Sequence, residues 1–126
     1  MRPKTLADVA LLASRGEVFD LCLSNFLDEF YAAPDQSALV HTPELLAPKF
    51  GEQGRVQDAY LAATAEYLAA MNHFPIPQWV VGDNRQLHQP WFASQLASLR
   101  AVLLLESPAT FRARNLFVSE NALTRV

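Results

Sequence analysis

Apolar residues return along this chain at helical intervals rather than in the strict alternation of strands. Leu6, Val9, Ala10, Leu12 and Ala13 give a first segment one buried face. Thr5 and Asp8 are placed as a capping pair at its start, and Gly16 ends it. A second helix is predicted from Glu17 to about Ala33, because Phe19, Cys22, Leu23, Phe26, Leu27 and Phe30 keep the same spacing until Pro34 stops them. The third runs from Arg55 to about Asn72 on a stripe of Val56, Tyr60, Ala63, Tyr67 and Met71. Its alanines favour helix and let neighbours come close. A fourth is expected to open at Pro90-Trp91-Phe92 and run to about Leu105, with Phe92, Leu96, Leu99, Val102 and Leu103 turned inward.

Turn residues break up the rest. Thr42-Pro43-Glu44 predicts one helical turn through Ala47, closed by Pro48, and Gly51 and Gly54 mark a loop. Residues 73–90 are the least regular part, with Pro75, Pro77, Pro90 and the turn Gly82-Asp83-Asn84; Pro77 starts at most a short turn through Trp79. Ser107-Pro108 predicts a short helix through Arg114. Asn115-Leu116-Phe117-Val118 is apolar and non-helical in character, and Ser119 caps a last turn from Glu120 to Arg125. The expected fold is all-α: an irregular helical bundle of four long helices plus short helical turns. It is more than half helical, and its core includes Phe19, Phe26, Phe30, Tyr60, Leu96, Leu99 and Leu103. Residues 1–126 form one helical domain, the natural unit for a chain of this length.

Composition narrows the setting. The chain is 51% hydrophobic and 18% charged, too apolar for disorder. Cys22 is its single cysteine, so no intrachain disulfide or cysteine-based zinc site can form, and a reducing, cytoplasmic location is expected. The start, Met1-Arg2-Pro3-Lys4 and then Leu6 to Ala13, has a faint signal-peptide character. Asp8 interrupts the apolar stretch, however, and Arg15-Gly16-Glu17 stand where small cleavage-site residues belong, so a helix is the better reading. No apolar run approaches the roughly 18 residues of a membrane span, so no membrane partner is expected.

Net charge is −3, which weighs against general nucleic-acid binding. The charge is unevenly spread. Residues 1–82 hold ten acids and five bases, whereas residues 83–126 hold three acids and five bases, all arginine: Arg85, Arg100, Arg112, Arg114 and Arg125. Guanidinium groups form paired contacts with carboxylates and phosphates, so this end could face an acidic partner or RNA. The plainer reading is a solvated face that pairs with the acidic half of the same chain.

No motif carries chemistry. His41, His73 and His88 each lie in or beside a loop, and the Glu-x-x-His pairs of a bundle di-metal site are missing. Ser107 lacks a Gly-x-Ser-x-Gly elbow and reads as a helix cap. Cys22 falls on an apolar stripe and reads as an inert core thiol. Four glycines, none in a glycine-rich strand-to-helix turn, leave no phosphate cradle. A helix-turn-helix at Ser107–Asn115 and Ser119 onward would have a recognition helix of at most about seven residues, too short for the groove. Neither an enzyme nor a cofactor or metal site is therefore expected. Aromatics and arginines, the residues that anchor protein interfaces, supply the candidate partner-binding set: Arg100, Arg112, Arg114, Phe117, Trp79 and Trp91. Glu106 to Val118 is the segment expected to form the working surface.

Pro77-Gln78-Trp79, Pro90-Trp91-Phe92, Leu99-Arg100 and above all Glu106-Ser107-Pro108-Ala109-Thr110-Phe111-Arg112-Ala113-Arg114-Asn115-Leu116-Phe117-Val118 resemble a group of small bacterial helical proteins encoded beside nucleotidyltransferase-like toxin genes. Phe26-Leu27-Asp28-Glu29-Phe30-Tyr31 fits the same pattern. The resemblance implies an antitoxin-type partner of a neighbouring toxin, with no catalytic role. The expected function is thus a non-enzymatic protein-interaction module, binding a toxin or a second copy of itself. The alternative is a ligand- or RNA-binding regulatory domain that uses the arginine-rich C-terminal part.

Overall fold

The computed structural model describes residues 2–94 and 96–125, and helices account for 58% of the chain. Seven α-helices are found among the described residues: α1 (Leu6–Ser14), α2 (Phe19–Ala32), α3 (Ser37–Val40), α4 (Ala47–Phe50), α5 (Glu52–Met71), α6 (Ala97–Glu106) and α7 (Ala109–Arg112). Two 3-10 turns, Gln78–Val81 and Asp83–Arg85, fill the proline-rich connector. Two short strands, β1 (Trp91–Phe92) and β2 (Leu116–Phe117), pair in parallel. The fold is all-α apart from that pair, and four of its helices are long.

Local rules account for the first two helices. The Thr5 hydroxyl accepts from the Asp8 amide at 3.0 Å while the Asp8 carboxylate accepts from the Thr5 amide, a reciprocal cap. Gly16, at φ +101, makes the left-handed exit that a side chain would resist. α2 buries Phe19, Cys22, Leu23, Phe26, Leu27 and Phe30 on one stripe, and α1 packs along it. Burial, and next the nearby charge of Glu17, pushes the Cys22 thiol up, as suits a core thiol.

α5 is the central post. Ala59, Leu61, Ala62, Ala63, Ala65, Leu68 and Ala69 are buried, so it meets neighbours on several sides rather than along one stripe. Those neighbours are α4, α7, β2 and both 3-10 turns. The helix begins at Glu52, three residues before the expected Arg55, because Gly54 is a packing position and not a loop. A Cβ there would lie 2.3 Å from the Leu46 carbonyl oxygen, so only glycine lets the Leu46 backbone rest on the helix. Pro48, expected to end a turn from Thr42, lies inside the first turn of α4, where its missing N–H has no helical partner to lose.

A buried polar seam joins these parts. The Asp58 carboxylate accepts from the amides of Leu46 at 2.7 Å and Ala47 at 3.1 Å, holding the start of α4 against α5. Arg85, also buried, donates to the carbonyls of Pro43 and Asp58 and lies over the Trp79 ring at 4.9 Å. Burial lowers the Arg85 pKa, while the Asp58 charge opposes that shift.

The fourth long helix departs most from expectation. Trp91 and Phe92 do not open it; they form β1. Trp91 N–H donates to the Asn115 carbonyl at 2.8 Å, Ala93 N–H donates to the Phe117 carbonyl at 3.0 Å, and Phe92 stacks on Phe117 with centroids 5.0 Å apart. These non-local bonds take the backbone that a helix would have used. α6 therefore starts at Ala97. Leu103 is buried, but Leu96 and Leu99, expected in the core, are exposed.

Candidate functional site

Of the described apolar side chains, the largest exposed group lies on and beside α6. Leu96, Leu99, Val102, Leu104 and Leu105 all face solvent, Leu105 at 84%. Only the far end of the helix is anchored. Leu103 is 7% exposed, and Ser107 is buried with its hydroxyl accepting from the Val118 amide at 2.7 Å and lying 2.7 Å from the Leu103 carbonyl. Leu99 is one turn before Leu103 on the same face yet open to solvent, so the first turns of α6 overhang the body and its last turn rests on β2. A helix this apolar with so few internal contacts has its burial unfinished.

The arginines divide sharply. Arg114, expected at the partner surface, is 6% exposed. It forms an ion pair with Glu66 at 2.7 Å, donates to the Val80 carbonyl at 2.9 Å and donates to the Thr110 carbonyl at 2.8 Å. Three fixed acceptors on α5, a 3-10 turn and α7 hold its guanidinium, which makes it a clamp between elements. Arg85 is interior as well, and Arg125 pairs with Asp28 at 2.8 Å on the surface. Arg112 is exposed with no ion pair found among the described residues. Arg100 on α6 lies over the Phe92 ring at 5.3 Å. The exposed cations of the C-terminal part are thus Arg100 and Arg112, with Arg125 half-neutralised.

The aromatics follow the same division. Phe117 is buried between Phe92 and the body, and Phe111 is fully buried against Tyr60 at 4.8 Å. Trp79 is half-buried, its indole N–H donating to the Leu39 carbonyl at 2.9 Å. Trp91 is half-buried at the mouth of a groove beside α2. The segment from Glu106 to Val118, read as the working surface, is largely woven into the fold: Ser107, Phe111, Arg114, Leu116, Phe117 and Val118 are buried. Apolar Leu116-Phe117-Val118 has partners after all, supplied by β1 and the core.

The six expected interface residues therefore do not form one patch. Sequence reasoning missed Leu104 and Leu105, whose run Leu103-Leu104-Leu105 covers three directions of a helix and cannot all face one core. That run was the available signal.

Among the described residues, no three His, Cys, Asp or Glu side chains converge in a way that could hold a metal ion. No described helix is long and apolar enough to cross a membrane. Neither a family model, nor a curated protein, nor a solved structure matches this chain.

Proposed function

We propose that this chain is a non-enzymatic interaction module that docks a protein partner on α6. The observation that carries the reading is the exposure of Leu99, Val102, Leu104 and Leu105 on one short helix. Exposed apolar side chains clustered in this way mark interaction surfaces on soluble proteins. Arg100 sits among them, and arginine beside apolar anchors is the composition of interface hot spots. The partner suggested by the resemblance is a toxin encoded next to this chain, which gives the module an antitoxin-type role. A regulatory RNA-binding reading draws less support, because Arg85 and Arg114 are interior and Arg125 is paired.

Co-expression with the product of the adjacent gene tests this. The two proteins should co-elute, and the chain should suppress the neighbour's toxicity. Leu99→Glu with Leu105→Glu should abolish both effects without lowering the melting temperature. Wild-type chain that stays separate from its neighbour would refute the antitoxin role. A double variant that binds as well as wild type would move the docking surface off α6.

A further inference from the structure

Two hollows lie side by side where the start of α2 meets the first half of α5. One has a volume of about 320 Å³ and the other about 410 Å³, and both are lined by Phe19, Asp20, Gln53 and Gln57. Glu17 adds a second carboxylate to the first hollow, and Glu52 adds one to the second together with Tyr60 and Trp91. No lysine or arginine lines either one among the described residues. Nor does Glu17, Asp20 or Glu52 form an ion pair among them.

The walls are rigid. Phe19 meets Tyr60 edge to face with centroids 6.1 Å apart, and Tyr60 is backed by Phe111 at 4.8 Å. The Trp91 backbone is tied to Asn115 at 2.8 Å. Asp20 bears on this chamber: burial, and then the Asp20 charge, pushes the Tyr60 hydroxyl up to about 12. One more group lacks a partner. The buried Oε1 of Gln57 accepts no hydrogen bond among the described residues.

Acids in the first turn of a helix stabilise its dipole, which by itself accounts for Asp20 on α2 and Glu52 on α5. It does not account for both helix starts converging on aromatic hollows that also hold a buried, unpartnered acceptor. Three carboxylates repel an anion. A neutral apolar ligand would leave Gln57 unsatisfied. A cation with N–H donors meets every feature, since it pairs with carboxylate, lies against aromatic faces and supplies the donor that Gln57 lacks.

We propose that the double hollow between α2 and α5 is a binding site for an organic cation, a guanidinium or alkylammonium group. Asp20 is the counter-ion, Tyr60 and Trp91 are the aromatic walls, and Gln57 is the acceptor. The site is independent of the α6 surface and stands whether or not α6 docks a partner.

The test is titration of the whole chain, followed through the Trp91 indole N–H resonance. The probes are agmatine, N-acetyl-arginine amide and the uncharged isostere N-acetyl-citrulline amide. Both guanidinium probes should shift the resonance saturably, with the citrulline compound at least about tenfold weaker. Tighter binding of agmatine points to a free amine, and tighter binding of the arginine amide to an arginine side chain of a polypeptide. Asp20→Asn should weaken the guanidinium probes by about tenfold without changing the melting temperature. Gln57→Leu, which removes the unpartnered oxygen, should also weaken them while leaving the fold at least as stable. Equal binding of the citrulline compound, no saturable shift with any probe, or unchanged affinity in Asp20→Asn would each overturn the proposal.

Discussion

Arg114 and Glu66 meet at 2.7 Å across the junction of the C-terminal segment with α5, the arginine side chain 7% exposed and the carboxylate 31%. The pair does two things: it neutralises a cation inside the fold, and it locks α7 to the central helix. Arg114→Ala removes that cation and leaves the Val80 and Thr110 carbonyls without a donor. A loss of about 2 to 4 kcal/mol is expected, the range for breaking a buried pair discounted for the partly solvated glutamate. Arg112→Ala, two residues earlier and exposed, should stay within about 0.5 kcal/mol. Chemical denaturation of the two variants side by side checks this. Equal stability would mean that Arg114 holds nothing.

Gly54→Ala sets two effects against each other. Alanine in a helix interior is favoured over glycine by about 1 kcal/mol. Here the new Cβ would lie 2.3 Å from the Leu46 carbonyl oxygen and 2.5 Å from its carbon, and backbone cannot swing aside as a side chain tip can. The clash should win, with a net loss of about 1 to 3 kcal/mol by thermal melting. A stabilised variant would show that α4 moves off α5 freely.

How far the fold could be read from the chain depended on how local its causes are. The Thr5–Asp8 cap and the stripe from Phe19 to Phe30 depend on neighbours within four residues, so their spacing announces them. The pairing of Trp91 with Leu116 joins backbone far apart in sequence, and no propensity rule marks two residues as a parallel strand. Gly54 looked like a loop because glycine usually breaks helices; its reason for being there is the backbone of Leu46, which only the assembled fold supplies. The candidate site was harder still. Arginine is exposed by default, so nothing in the sequence separated Arg114, taken inward by Glu66, from Arg112, left outside. Exposed leucines on α6 were mistaken for core for the opposite reason: periodicity shows that a face is apolar, not what covers it.

Asp58 gives the protein a pH signature. Burial raises its carboxyl above the ordinary value, although the amides of Leu46 and Ala47 and the charge of Arg85 pull the other way. The folded state then binds the proton more tightly than the unfolded chain. The contribution of Asp58 is therefore least favourable above its folded-state pKa and improves as pH falls through that value toward about 3.9. Asp58→Asn cannot titrate, so subtracting its stability from wild type isolates this group. The difference should shift in favour of wild type between about pH 6 and about pH 4. A flat difference would show no shifted titration, and a shift toward the variant would show that the amides outweigh burial.

Leu99 and Leu103 stand one helical turn apart and differ in the work they do for the isolated chain. Leu103 is 7% exposed and sits beside Ser107, whose hydroxyl secures the end of α6 to Val118. Truncating it opens a gap against β2, and Leu103→Ala should cost about 2 to 3 kcal/mol, the lower part of the range for a buried leucine because the site lies at the edge of the core. Leu99 is 42% exposed on the overhanging turn, so its side chain gains little burial on folding. Leu99→Ala should cost less than about 1 kcal/mol in the free protein, mostly through lost contact with its own helix. The ordering should change once a partner covers α6: Leu99 then becomes buried, and its truncation should weaken the complex several-fold while the free chain melts nearly as wild type. Equilibrium unfolding of both variants, alone and in complex, separates the two roles. If Leu99→Ala destabilised the free chain as much as Leu103→Ala, α6 would lie against the body along its whole length and the docking surface would have to be sought elsewhere.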